Sequence, residues 1–93
     1  MKINENQKKF WYKMLELIKL YENGVISFYD FIYELEGCLD MGDFQDEEFI
    51  NKWYEYWTPL EILHTTKGSE IKKEDAEEYV SAFELFLKQQ LIL

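Results

Sequence analysis

The side chains best suited to chemistry in this sequence are carboxylates and phenols, and they gather around one acidic segment. Residues 40–48 hold five acids and no base, which we call the acidic ridge: Asp40, Asp43, Asp46, Glu47 and Glu48. Four tyrosines flank this segment: Tyr29, Tyr33, Tyr54 and Tyr56. Carboxylates attract lysine and arginine, while tyrosine rings supply the desolvated anchors of protein interfaces. The combination predicts a surface that binds a basic protein.

Motifs for catalysis and metal binding are missing from the sequence. His64 is the single histidine, and no serine or cysteine stands near it in the arrangement of a catalytic triad. The acidic ridge lacks the alternating spacing and the final glutamate of a calcium-binding loop. Phosphate-binding glycine loops, zinc-protease helices and paired cysteines are also missing. We therefore expect no enzymatic activity, no cofactor and no metal site.

The charge of the chain is negative and unevenly distributed. The 93 residues predict a single domain, residues 1–93, with a formal charge of −9. Residues 1–20 carry a net charge of +3, from five lysines and two glutamates, whereas residues 21–93 carry −12, from five lysines and seventeen acids. The chain contains no arginine, so direct binding of nucleic acid is disfavoured. A basic protein partner is compatible with this charge, and so is an acidic surface that serves solubility alone.

Cysteine content and hydropathy indicate a location in the cytoplasm. Cys38 is the only cysteine, so it cannot form a disulfide bond within the chain. The first ten residues, MKINENQKKF, contain no apolar segment typical of a signal peptide. No apolar run is long enough to cross a bilayer, so we expect no membrane association.

The elements that must position the candidate residues are predicted to be helices. Apolar residues recur at helical spacing between the glycines, and no segment alternates with the period of a strand. We expect a first helix over residues 5–23, ended by Gly24, and a second helix that is capped by Ser27 and ended by Gly42. A third helix is expected to begin near Asp46, and a last helix to cover residues 73–91.

The residues TPLE interrupt the third helix in this prediction. Thr58, Pro59 and Glu61 have the spacing of a capping box with proline at the first helical position. The third helix is therefore expected to stop at Trp57, and a short helix to begin at Pro59 and end before Gly68. The predicted fold is all-α, a compact bundle of four longer helices and one short helix.

Helical periodicity also divides the aromatic residues into buried and partly exposed groups. Six residues on the apolar stripes are expected inside: Trp11, Phe31, Leu35, Trp53, Trp57 and Phe83. Tyr54 and Tyr56 lie about 80° to either side of the stripe of the third helix, at the boundary between core and water. Cys38 falls on the apolar face of the second helix, where a small buried residue is expected.

The segment LEGCLDMGDFQDEEFINKWYEYWTPLEI resembles a known family of small acidic proteins. These are the bacterial immunity proteins encoded beside contact-dependent growth-inhibition toxins and related polymorphic toxins. Segments of the form LEG-x-LD, DEEF and WYxYWxxLEI recur there, and the similarity covers roughly residues 25–63. Toxins of such systems are commonly basic nucleases, often directed at transfer RNA. The resemblance implies that this protein binds a cognate toxin domain in the cytoplasm and blocks its active site.

Two alternatives from other functional classes remain open. The chain could be an acidic mimic of nucleic acid that occupies a DNA-binding protein, in which case its charges would line one face at phosphate-like spacing. It could also be a small helical regulator without a toxin partner. A rival binding surface for the toxin is the acidic start of the last helix, from Glu74 to Glu78, but its nearby Tyr79 is expected to point into the core.

Overall fold

The computed structural model describes residues 3–91, and four α-helices contain most of them. The helices are α1 (Glu5–Glu22), α2 (Phe28–Met41), α3 (Glu47–Lys67) and α4 (Lys73–Leu91), with a short 3-10 turn at Gly68–Glu70. Both α1 and α3 pack against α2 and α4, which gives a bundle of 38 × 23 × 21 Å. Because residues 3–91 contain no strand, the all-α prediction is confirmed. Within the same residues, no helix has the length and apolar character needed to cross a membrane.

Side-chain caps set the starts of the first three helices. Asn4, Ser27 and Asp46 each accept a hydrogen bond from the backbone N–H three residues later, at 2.8, 3.0 and 3.1 Å. These bonds satisfy amide donors that have no carbonyl partner inside the helix. The predicted starts of α1, α2 and α3 are therefore confirmed. Gly24 follows α1 with a φ of +76°, a conformation that favours glycine.

The predicted break of the third helix is wrong, because α3 continues through Pro59 to Lys67. Proline removes one helical hydrogen bond and crowds the preceding turn, at a cost of about 3 kcal/mol. Trp57 and Leu60 are both buried on either side of it, and they continue the apolar stripe in phase. Burial of two large side chains contributes about 1.5–3 kcal/mol each, which offsets the proline. The separate short helix is thus the C-terminal part of α3.

The core is rich in aromatic rings, and each of its indole N–H groups has a hydrogen-bond partner. All six residues that were expected inside are buried, and so is Cys38, whose thiol pKa is raised by that burial. Trp11 Nε1 donates to the Leu87 carbonyl at 2.7 Å, and Trp57 Nε1 donates to the Ile32 carbonyl at 2.8 Å. These two bonds tie α1 to α4 and α3 to α2. The buried indoles therefore stabilise the core without leaving a donor unsatisfied.

Candidate functional site

A stripe of polar and aromatic side chains runs along α2 beside α3. Tyr29, Tyr33, Glu36 and Asp40 follow one another at i, i+4, i+7 and i+11, so they lie on one side of the helix. Three of them are exposed, and Glu36 is partly buried. The stripe presents two phenols followed by two carboxylates along about 16 Å, at 1.5 Å per residue.

A second stripe on α3 faces the first. Tyr54, Trp57, Glu61 and His64 stand at i, i+3, i+7 and i+10, which is one helix face only because α3 is continuous through Pro59. Trp57 forms the buried floor, with its ring centroid 6.4 Å from that of Tyr33 and 5.6 Å from that of Tyr54. We call the two stripes together, with Asp43, the α2–α3 face.

The end of this face nearest the acidic ridge is organised around Tyr54. Its hydroxyl donates a hydrogen bond of 2.8 Å to the Glu36 carboxylate. Burial, this hydrogen bond and the nearby charge of Asp40 raise the pKa of Tyr54 to about 12. Tyr54, Asp40 and Asp43 also border a shallow pocket of about 260 Å³. The phenol therefore stays neutral near pH 7, while the carboxylates remain able to accept hydrogen bonds from a ligand.

The other end of the face is an aromatic cluster of Tyr29, Tyr33 and His64. The Tyr29 ring lies 4.9 Å from that of Tyr33 and 5.2 Å from that of His64, and 57% of Tyr29 is exposed. Partial burial, and then the negative charge of Glu61, raise the pKa of Tyr33. Exposed rings beside a carboxylate attract a lysine or arginine side chain through cation–π and ionic contacts.

Within the acidic ridge, two carboxylates stabilise the local structure and three are free of such a role in the described contacts. Asp46 caps α3 through its bond to the Phe49 N–H. Asp43 has a φ of 51° and accepts a hydrogen bond from Gln45 Nε2 at 2.7 Å. The remaining acids are exposed, and they are therefore better placed to contact a partner: Asp40, Glu47 and Glu48.

The four predicted anchor tyrosines do not converge on the acidic ridge as expected. Tyr54 borders it, but Tyr29 and Tyr33 lie toward the opposite end of α2, in the aromatic cluster. Tyr56 lies on the other side of α3 and stacks on Phe86 of α4, with centroids 4.7 Å apart and planes at 14°. A binding role for each of the nine proposed residues stays a prediction, and Tyr56 is separated from the others.

The rival acidic surface at the start of α4 also differs from expectation. Tyr79 is 41% exposed, so the prediction that it points into the core is wrong. Helical spacing puts it one turn after Asp75, beside the exposed Glu78. This surface offers one tyrosine, whereas the α2–α3 face offers three tyrosines above a buried tryptophan.

Glu36, Glu61 and His64 are members of the face that sequence reasoning missed. Glu36 continues the α2 stripe at regular spacing and could have been found from it. Glu61 and His64 were assigned to a separate short helix, so their register with Tyr54 was lost.

The charge on this side of the molecule comes from an unusually long segment without bases. Residues 20–51 contain nine carboxylates and no lysine, arginine or histidine. That segment runs from the end of α1 through α2 and the loop after it to the first turn of α3, and eight of its nine carboxylates follow α1. Four lysines, by contrast, lie on α1: Lys8, Lys9, Lys13 and Lys19. The negative potential is therefore concentrated on α2 and the start of α3.

No protein-family model, curated protein or solved structure matches the chain in comparisons with known proteins. Among residues 3–91, no three histidine, cysteine, aspartate or glutamate side chains are grouped closely enough to hold a metal ion.

Proposed function

We propose that this protein is an immunity protein that binds a basic toxin domain through the α2–α3 face and neutralises it. The observation that carries the proposal is the juxtaposition on this face of three tyrosines with the carboxylates of Glu36, Asp40 and Glu61. The resemblance of residues 25–63 to immunity proteins of contact-dependent growth-inhibition systems supports the same function.

The charge distribution explains how such a partner is captured. A nuclease holds phosphates with lysine and arginine, so its active-site cleft attracts the acidic side of the molecule formed by α2 and the start of α3. Complementary potentials accelerate encounter and orient the two surfaces before they touch. The inhibitor then competes with nucleic acid for the same cations, which blocks the cleft. Neutralisation takes place in the cytoplasm, where a nuclease toxin meets its substrate.

The tyrosines supply the short-range part of the binding energy. At one end of the face, Tyr54 presents a neutral phenol that is held in place by Glu36. At the other end, the rings of Tyr29 and Tyr33 present an exposed aromatic surface beside Glu61. An arginine or lysine of the toxin that packs on these rings is desolvated and pairs with Glu61. Such anchors contribute about 2 kcal/mol or more each when they lie near the centre of an interface.

Growth protection tests the proposal. The candidate toxin, the C-terminal domain of the protein encoded directly upstream, is induced in a bacterial host with and without this protein. We expect growth to be restored when the protein is present and a stable complex of the two purified chains. Survival without this protein, or the absence of a complex with an active toxin, would contradict the proposed function.

A further inference from the structure

An open groove of about 720 Å³ runs between α1 and α2, on a different flank of α2 from the α2–α3 face. Its floor includes Leu17 and Cys38, and its borders include Tyr12 and Met41. Tyr12 is 57% exposed and Met41 is 65% exposed. Large exposed apolar side chains around an open groove are typical of a surface that binds a partner.

Gly37 makes this groove deeper than the fold requires. It lies in the middle of α2, where glycine is less favourable than alanine by about 0.5–1 kcal/mol. A Cβ atom at this position would meet nothing within 4 Å, so packing inside the chain does not require glycine. Glu34, Gly37, Cys38 and Met41 stand at i, i+3, i+4 and i+7, the spacing that forms a hole for a side chain of another helix.

The charges around the groove favour a second copy of this chain as its occupant. Lys9, Lys13 and Glu16 line its α1 side and Glu34 lines its α2 side, so these four charges sum to zero in a protein of −9. The ion pair between Lys13 and Glu16 is exposed and 3.9 Å long, so it is weak and easily exchanged. A strongly acidic or basic partner gains no net attraction here. Two copies of this chain, which repel each other elsewhere, meet least repulsion at this neutral face.

A two-fold axis makes the same surface complementary to itself. When α1 of one copy faces α2 of the other, Lys9 and Lys13 approach Glu34 of the second copy, and the contact is repeated by symmetry. We propose that this chain forms a symmetric dimer through the α1–α2 groove, with Tyr12 and Met41 of each copy packed into the groove of the other. The dimer leaves most of the α2–α3 face uncovered on both copies, although Tyr33 borders both surfaces.

Sedimentation velocity of the intact chain tests the dimer. Samples from about 5 to 500 µM cover the affinities of small interfaces, and we expect the mass to rise from monomer to dimer across this range. Met41→Glu should weaken the dimer at least tenfold. Val25→Glu is the matched control, because Val25 is 66% exposed, gains the same charge and lies outside the groove. It should change the dissociation constant by less than about threefold.

Swapping the charges of Glu34 and Lys13 distinguishes a specific ionic contact between the two copies from a general effect of net charge. Glu34→Lys lowers the net negative charge, so it would strengthen association that is limited by repulsion alone, whereas the proposed contact predicts weaker association. Adding Lys13→Glu to that variant should restore dimerisation. A wild-type monomer at every concentration, or equal behaviour of Met41→Glu and Val25→Glu in folded proteins, would overturn the proposal. Neither result would affect the proposed toxin binding, which uses the other flank of α2.

Discussion

The continuity of α3 through Pro59 gives the sharpest test of the structure, because a continuous helix and a broken helix predict opposite signs for the same substitutions. In a continuous helix, Thr58 lies in the middle of α3, and its solvent-exposed side chain makes no hydrogen bond among the described residues. Thr58→Ala should then increase the free energy of unfolding by about 0.5 kcal/mol, since alanine is the better helix former. If α3 ended at Trp57, Thr58 would cap a new helix, and the same change would cost about 1 kcal/mol.

Pro59→Ala extends the comparison. The substitution restores a helical hydrogen bond to the Glu55 carbonyl and removes a steric conflict, together worth about 3 kcal/mol. Alanine gives the unfolded chain more freedom than proline does, which reduces this gain by about 0.4–1 kcal/mol. Loss of the contacts of the half-buried proline ring reduces the gain further. A net stabilisation of about 1–2 kcal/mol is therefore expected for a continuous helix. Proline at the first position of a new helix would give no such gain.

Urea denaturation followed by circular dichroism measures both changes. Ser27→Ala is the matched control, because the Ser27 hydroxyl does cap α2 and its loss should cost about 1 kcal/mol. If Thr58→Ala lowers the midpoint as Ser27→Ala does, α3 is broken and the reasoning is refuted. Glu61 and His64 would then lose their register with Tyr54, and the α2–α3 face would not exist in the form described.

Three further predictions concern the core, the helix glycines and the phenol of the candidate site. Trp53 is fully buried, so Trp53→Ala should cost about 3–5 kcal/mol in urea denaturation, and a variant as stable as the parent would contradict the packing. A Cβ at Gly42 would overlap the buried ring of Phe44, so Gly42→Ala should lower the free energy of unfolding by more than about 1 kcal/mol. A Cβ at Gly37 meets open space, so Gly37→Ala should raise the free energy of unfolding by about 0.5–1 kcal/mol in dilute solution. The folded protein raises the pKa of Tyr54 from 10.0 to about 12, so the neutral phenol contributes its full stabilisation below pH 10 and loses it as the pH rises to 12. When the pH rises from ~9.5 to ~11.5, wild type should lose about 1 kcal/mol more stability than Tyr54→Phe, after allowance for solvent screening. Equal losses in the two proteins would show that the burial and the Glu36 bond do not act as described.

The sequence was sufficient for most of the fold because local signals and apolar periodicity agreed. Ser27 and Asp46 are good capping residues, and the stripes of α1, α2 and α4 have no competing signal. At Thr58 and Pro59 the local capping pattern and the apolar stripe disagreed. The stripe determined the structure, because burial of Trp57 and Leu60 is worth more than one cap.

The candidate site was predicted only in part, since neighbours across two helices depend on their relative rotation. The sequence identified Tyr54 and Asp40, which do border one pocket. It could not show that Tyr56 stacks on Phe86, because both lie on separate helices with no local signal for contact. It also gave no sign that Asp43 adopts a positive φ and accepts a hydrogen bond from Gln45.

The most direct test of toxin binding compares two matched pairs of charge reversals. Asp40→Lys with Glu47→Lys changes the α2–α3 side, and Glu74→Lys with Glu77→Lys changes the start of α4. All four acids are exposed, and each pair includes one acid from the first turn of a helix, so both should alter stability to a similar extent.

Association with the candidate toxin domain is followed by stopped-flow fluorescence at low and high salt, with variants confirmed as folded. We expect the wild-type association rate to fall strongly as salt rises, because exposed charges are screened beyond ~8 Å at physiological ionic strength. The first pair should slow association and weaken affinity at least tenfold, whereas the second pair should resemble wild type. A rate independent of salt, or a loss of affinity confined to the Glu74 and Glu77 pair, would contradict binding through the α2–α3 face.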